Sequence, residues 1–259
     1  MILWTRAAYR KLRNETNARE YVSQIGRFIR GKLPPGLNGV VLGMSGGIDC
    51  SVVARLCQVA GVDAKLYILP DGNTPSQQNA VSDAMLFIDK FGFDYENIDI
   101  GPICAAIETA LGDTLCTPGL AFSNIPPRVR MTVLYTAAQS LGRLVIGTGN
   151  LAERLMGYFT KWGDGAYDLN PLGMMTKTEV RTLARELQVP DTIINKAPSA
   201  GLYEGQTDEA DMGLTYEEID SFILNGTSGN NQADLIIKQR IALASHKLNA
   251  APIFNEKLY

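Results

Sequence analysis

The sequence predicts an α/β protein, a parallel sheet covered by helices on both faces. Two observations predict it. Short, continuously apolar runs alternate, up to about Asn150, with longer segments whose apolar residues recur every three or four positions. The first apolar run ends on a Ser-Gly-Gly turn that leads directly into a helical pattern, the junction at which such sheets bind ligands. With 46% hydrophobic residues in 259, the chain can fill one sizeable core, and a single domain over residues 1–259 with peripheral additions is expected.

Each element has its own signal. From Thr16 to Arg30, residues Ala18, Tyr21, Val22, Ile25, Phe28 and Ile29 share one helical face behind Asn14 or Thr16 as cap, and the Gly- and Pro-rich stretch Gly31 to Gly36 ends the helix. Gly39 to Met44 is apolar throughout, as a strand buried on both faces must be. Asp49 to Ala60 returns to helical spacing. Ala64 to Leu69 is a second strand, Gln77 to Phe91 a helix, Tyr95 to Ile100 a third strand and Ile103 to Leu111 another helix. Pro126-Pro127 opens a helix running to about Leu141, because proline is harmless in a first turn whose N–H groups are unpaired. Leu144 to Gly147 is a fourth strand, ending on Gly147-Thr148-Gly149.

Beyond Asn150 the alternation stops. Gly157 to Gly173 is rich in Gly, Asp and aromatic residues and reads as a structured loop over a site. Glu179 to Leu187 is a helix stopped before Pro190, Asn195 to Met212 a long polar loop, and Tyr216 to Leu224 and Ala233 to Leu248 close the chain as helices.

Composition excludes several classes of function. A formal net charge of −3 with no dense Lys or Arg run argues against nucleic-acid binding. Cys50, Cys57, Cys104 and Cys116 form no Cys-x-x-Cys pair, and the only histidine, His246, is remote from them, which argues against structural zinc. The first twenty residues lack the apolar core of a signal peptide, and no stretch reaches about 18 uncharged apolar residues, the length of a membrane span. A soluble cytoplasmic protein with reduced thiols and no membrane partner is expected.

The candidate site starts at the end of the first strand. Gly46 and Gly47 have no side chains, so backbone amides there can approach a phosphate closely, and Ser45 adds a hydroxyl donor. Asp49 suits a cation ligand, since a polyphosphate brings magnesium and magnesium prefers carboxylate oxygen. The six residues alone leave a second reading open, a Gly-Gly turn capped by Asp49 at a helix start. The loop matches neither a Walker motif nor Gly-x-Gly-x-x-Gly. Ser-Gly-Gly-x-Asp-Ser loops belong to enzymes that split ATP between its α- and β-phosphates. Here Cys50 stands at the last place, a weaker donor than serine. A catalytic thiol would want a base beside it, and none is evident.

The second half identifies the family. It reads Gly147-Thr148-Gly149-Asn150-Leu151-Ala152-Glu153, Gly157-Tyr158-Phe159-Thr160-Lys161-Trp162-Gly163-Asp164-Gly165, Asp168, Pro171-Leu172, Lys177, Lys196-Ala197-Pro198-Ser199-Ala200-Gly201-Leu202 and Gly205-Gln206-Thr207-Asp208-Glu209. In order and spacing this closely resembles ammonia-dependent NAD synthetase over roughly residues 16 to 250. The resemblance implies a Rossmann-like sheet and a ligase acting at the last step of NAD biosynthesis. ATP adenylates the carboxylate of deamido-NAD (nicotinic acid adenine dinucleotide) with release of pyrophosphate, and ammonia then displaces AMP to leave NAD.

The resemblance also assigns residues. Gly43-Met44-Ser45-Gly46-Gly47-Ile48-Asp49-Cys50 becomes the ATP loop, with Thr148 and Ser199 as hydroxyl contacts and Lys177 as the cation on the phosphates. Asp49 and Glu153 fall on magnesium; without the resemblance Glu153 would be a solvated first-turn residue. Arg128, Lys161, Asp168, His246 and Lys247 match deamido-NAD contacts, and Asp164 has a role near metal or substrate. With Asp49 and Lys177, Asp164 completes the expected catalytic set. Tyr158, Phe159 and Trp162 either shield the acyl-adenylate or only pack the loop. Pro126-Pro127 departs from the commoner Lys-Ala and removes a positive side chain near the dinucleotide, and Arg130 reads as structural. A homodimer is implied, with the dinucleotide between subunits. The chain has no room for a glutaminase domain, so free ammonia is the expected donor. Two rival enzymes use the same loop. A GMP synthetase ATPase part is one; a tRNA-thiolating enzyme, which would want Cys pairs and a basic surface, is the other. A nucleotide sensor without turnover is the rival of another class.

Overall fold

The computed structural model describes residues 15–250, apart from 73, 116–118 and 200–204, together with residue 252. The elements run α1 (Glu15–Lys32), β1 (Val40–Gly43), α2 (Ile48–Val59), β2 (Ala64–Ile68), α3 (Pro75–Phe91), β3 (Tyr95–Asn97), α4 (Gly101–Leu115) and α5 (Leu120–Ser123). They continue with α6 (Ile125–Leu141), β4 (Leu144–Val145), α7 (Leu151–Met156), α8 (Lys177–Glu186), α9 (Asp191–Ile194), α10 (Asp208–Met212), α11 (Tyr216–Asn225) and α12 (Asn231–Leu248). Cys116 and the motif residues Ala200-Gly201-Leu202 lie outside the described set.

The sheet is parallel and ordered β3-β2-β1-β4. Its two faces explain why β1 is apolar at every position. Val40 and Leu42 point into one core with Ile29 of α1, Val53 and Leu56 of α2, Phe87 of α3 and Leu183 of α8. Val41 points the other way, into a second core with Ile100, Cys104 of α4 and Val129 of α6. In β2, Leu66 and Ile68 join the first core and Tyr67 the second. A third cluster gathers Leu151, Leu155, Met212, Tyr216, Ile219 and Ile237, so the carboxyl-terminal helices pack on α7 rather than on the sheet. Among the described residues no helix is long and apolar enough to cross a membrane.

The expected elements recur with small shifts, and the departures have local causes. β4 pairs with β1 through Leu144 and Val145 alone; Ile146 still donates its N–H to the Val41 carbonyl at 3.0 Å and also bridges to Leu169 from the aromatic loop. Helix α4 is broken at Gly112 (φ 59°, ψ −176°), one residue past the expected end at Leu111. The short helices α5, α7, α9 and α10 carry too few residues for periodicity to register. Asp208–Met212, inside the stretch read as a polar loop, is helical behind the Thr207 cap.

Topology places the site. From β1 the chain steps outward to β2 and β3, then returns to the far side of β1 as β4, so the crevice at the carboxyl ends of β1 and β4 is the switch point of the sheet. Residues 44–47 and 146–150 both emerge there. Gly46 sits at φ +76°, and a Cβ on it would lie 2.4 Å from the carbonyl oxygen of Ala80 on α3. Glycine is required by both backbone conformation and space. Gly46→Ala is expected to lower the unfolding free energy by about 2 kcal/mol, read as a fall in the urea midpoint. An unchanged midpoint would show that α3 yields to a methyl group at this position.

Candidate active site at the switch point

The phosphate-type loop is held from beneath. The Cys50 thiol is buried, bonds to the carbonyl oxygen of Gly47 at 3.1 Å and lies 3.3 Å from Ser45 Oγ. Burial pushes its pKa up, so it is a structural thiol that stiffens the turn rather than a thiolate. Ser51 Oγ donates to the same carbonyl at 2.8 Å. Gly47 is the N-cap of α2 and supplies no side chain, so the first N–H groups of α2 face the crevice without a side-chain cap.

The loop after β4 brings the second carboxylate. Asn150, wholly buried, caps α7 by accepting from Glu153 N at 3.1 Å, and Glu153 Oε2 accepts from Asn150 N at 3.1 Å. Asn150 Nδ2 also donates to Asp49 Oδ1 at 3.1 Å, tying the two loops together. Glu153 is therefore both a first-turn capping residue and a site residue: its other oxygen turns toward Lys177.

Lys177 opens α8 behind a Thr176/Glu179 capping box, and Asp220 of α11 accepts from Lys177 N at 3.2 Å and Thr178 N at 2.9 Å. So anchored, its ammonium lies 2.6 Å from Asp49 Oδ2 and 3.4 Å from Glu153 Oε1 with the lysine 1% exposed. Burial alone would lower the Lys177 pKa, but the charges of Asp49 and Glu153 outweigh it and hold the pKa above its ordinary value. Burial, reinforced by Asp49, pushes Glu153 up to about 7. Tyr216 backs the cluster: its ring lies 4.9 Å from Lys177 Nζ, and its hydroxyl lies 2.8 Å from Asp208 Oδ2 and 3.4 Å from Glu153 Oε1.

The donor set fits magnesium. Asp49 and Glu153 converge on one cation position, now taken by an ammonium, and both offer hard oxygen. Among the described residues no group of three or more His, Cys, Asp or Glu side chains forms a complete cage. Magnesium needs none, because it takes one or two carboxylates and completes its shell with substrate phosphates and water.

The aromatic loop, residues 157–173, closes the other side. Gly147 leaves only 2.4 Å between a notional Cβ and the Tyr167 ring, so glycine is what lets the loop close on β4. Lys247 of α12 donates to the carbonyl oxygens of Gly157 and Phe159, both at 2.8 Å. Lys161 Nζ donates to the carbonyl oxygen of His246 at 2.8 Å, and Arg128 Nε to that of Lys161 at 3.4 Å. Arg128, Lys161, His246 and Lys247 thus form one neighbourhood. Asp164 accepts from Thr160 N at 2.8 Å and lines, with Glu153, Phe159, Tyr167 and Lys247, a cavity of about 150 Å³. Asp168 sits apart. It accepts from Val145 N at 2.7 Å and lines an open groove along α6 with Met131, Tyr135 and Gln139. Trp162 is 61% exposed, whereas Tyr158 donates to Asp211 Oδ2 at 2.8 Å, so the three aromatic residues differ in role. Arg130 is structural as expected, joined to the Leu69 carbonyl and Asp71 at 2.9 Å each. Thr148 lies on the loop after β4. Ser199 is exposed beside Pro198, whose carbonyl accepts from Asp208 N at 3.0 Å.

Sequence reasoning missed Asn150, Asp208, Tyr216 and Asp220 as site residues. Asn150 had a usable signal, since Asn followed three residues later by Glu is a capping pair. Tyr216 and Asp220 had none, because nothing local says what a helix face will meet.

Comparison with known proteins shows what the chain and its fold resemble. The family model described as NAD synthase matches residues 21–250. An NH(3)-dependent NAD(+) synthetase of Archaeoglobus fulgidus is 40% identical over 244 residues, 92% of this chain and 97% of its own. The solved NMN synthetase of Francisella tularensis aligns with a TM-score of 0.86 at 37% identity, covering 92% of this chain and 99% of that one. The NH3-dependent NAD synthetase of Campylobacter jejuni aligns at 0.75 and 28% over the same shares.

The Glu153 carboxyl is a stability group with a definite sign. Its folded pKa lies above the unfolded value of 4.5, so its contribution is complete below 4.5 and is lost as pH rises through about 7. The wild-type protein should lose stability between about pH 5 and pH 8 relative to Glu153→Gln. Urea midpoints measured across that range check this, and parallel curves would refute it.

Proposed function

The chain belongs to the NAD synthase family and is an ammonia-dependent NAD+ synthetase, a ligase, and from that premise we propose that it joins ATP to deamido-NAD in the crevice between β1 and β4. The observation that carries this reading is the Asp49–Lys177–Glu153 cluster beside an uncapped α2 amino terminus. A carboxylate oxygen of the substrate attacks the α-phosphate and pyrophosphate leaves; ammonia then attacks the acyl carbon and AMP leaves. Both steps bring anions together, so the protein must neutralise charge and hold geometry.

The amides of residues 45–47 grip the pyrophosphate portion. Asp49 and Glu153 would hold magnesium, which supplies charge neutralisation and fixes phosphate oxygens when bound. Lys177 then exchanges a carboxylate partner for phosphate, to which Thr148 and Ser199 add hydroxyl contacts. Arg128, Lys161, His246 and Lys247 face the dinucleotide, with Asp168 at the α6 groove. Asp164 lines the small cavity shared with Glu153, where the reacting acyl group and ammonia are kept from bulk water. A homodimer is supported by exposed Ile103, Ile107 and Leu111 at helical spacing on α4.

A second reading concerns substrate length. The Francisella NMN synthetase aligns at a higher TM-score and identity than the Campylobacter NAD synthetase, and an enzyme that forms NMN amidates a mononucleotide. Pro126-Pro127 also replaces the Lys-Ala of the commoner pattern, so Pro126, half-buried beside Arg128, stands where that pattern has a cation. The two readings share every step at the carboxylate and differ only in what lies beyond the first phosphate.

Incubation of the purified chain with ATP, magnesium, ammonium and either deamido-NAD or nicotinate mononucleotide separates them. NAD formed with equimolar AMP supports the first, and a higher kcat/KM on the mononucleotide supports the second. ADP in place of AMP, or no amide product from either substrate, overturns both. Asp49→Asn should slow AMP formation about a hundredfold; an unaffected rate would remove Asp49 from the mechanism.

A further inference from the structure

Asp208 is 4% exposed, and no step above uses it. It is the first residue of α10, and its main-chain N–H is taken by the carbonyl oxygen of Pro198. Its Oδ2 lies 2.8 Å from the Tyr216 hydroxyl, which in turn lies 3.4 Å from Glu153 Oε1. A phenol has one proton and cannot donate to both carboxylates. The shorter contact takes it, as a charge-assisted bond should.

The alternative orientation has a consequence. Were the proton turned to Glu153, it would take up one of the two acceptor positions of the oxygen that faces Lys177 and the shared cation position, and compete with the cation for it. We infer that Asp208 is a positioning residue: by holding the Tyr216 hydroxyl proton it keeps Glu153 Oε1 open to a cation. This rests on the reading of Asp49 and Glu153 as magnesium ligands. Asp208 reaches Glu153 Oε1 through the Tyr216 hydroxyl, while its carboxylate also bonds the Tyr158 hydroxyl and its charge bears on Lys177 and Glu153.

A double-mutant cycle tests the inference by binding, without turnover. Mn²⁺, a spectroscopic substitute for magnesium, is titrated against the protein with ATP present and followed by electron paramagnetic resonance. Asp208→Leu, which removes the acceptor at similar volume, should weaken Mn²⁺ binding about tenfold or more. Tyr216→Phe alone, which keeps the ring under Lys177, should leave binding within about threefold, because the hydroxyl is not what supports Glu153. The double variant should regain a clear part of the affinity that Asp208→Leu loses, a rescue that mere loss of packing or of charge would not produce. Unchanged binding in Asp208→Leu, or a double variant as weak as that single one, overturns the inference. Should Asp208→Leu fail to fold, Tyr216→Phe still decides: a tenfold loss would mean that the hydroxyl supports Glu153 directly. Wild-type protein that binds no Mn²⁺ with ATP would overturn the cation reading and this inference with it, whereas the other outcomes leave that reading standing.

Discussion

The ion pairing of one buried lysine with two carboxylates organises this protein. Lys177 reaches Asp49 from α2 and Glu153 from α7, so three helices that start at different places in the chain are pinned amino end to amino end. A cluster of this kind adds little net stability, since desolvating three charges offsets most of their attraction. Its strength lies in intolerance of partial loss. Removing any one partner strands a charge away from water, and such losses cost about 3–5 kcal/mol. The cluster is therefore kept whole, at the switch point of the sheet.

Around that constraint the fold supplies orientation. The parallel sheet delivers two loops to one crevice, and Asn150 stitches them by capping α7 with its oxygen and bonding Asp49 with its nitrogen. Asp220 fixes the first turn of α8, and Tyr216 sits under the ammonium. The supporting groups come from two places, Asn150 from the loop before α7 and Asp220 and Tyr216 from α11, so the geometry of three charged atoms is over-determined. The aromatic loop is fastened separately, by Lys247 and Lys161 bonding main-chain oxygens between it and α12. Two separately fastened regions, the charged cluster and the aromatic loop, thus meet at the small cavity lined by both Glu153 and Asp164.

Much of this was legible in the chain. The all-apolar run Val40-Val41-Leu42 announced a strand buried on both faces, and the two opposed cores bear it out. Gly46 was legible as a glycine whose bare backbone could approach a phosphate, but that a Cβ there would meet the Ala80 carbonyl of another helix was not. The two carboxylates and the lysine were legible through the family pattern. That pattern put Lys177 on phosphate; the structure shows it paired with both carboxylates, because an amine buried this deeply must be satisfied by whatever anions are at hand. Cys50, which looked like a weakened phosphate contact, bonds the loop's own carbonyl.

By itself the sequence determined the α/β class, the order of strands and helices along the chain, and the residue types at the phosphate loop. These follow from local periodicity, caps and the steric freedom of glycine, all set within a few residues. Only the tertiary structure decided that β4 lies beside β1, that Asp208 and Tyr216 stand behind Glu153, and that Asp168 belongs to the α6 groove. Those facts join residues tens of positions apart, and no local rule says which buried polar atoms will satisfy one another once the cores have closed.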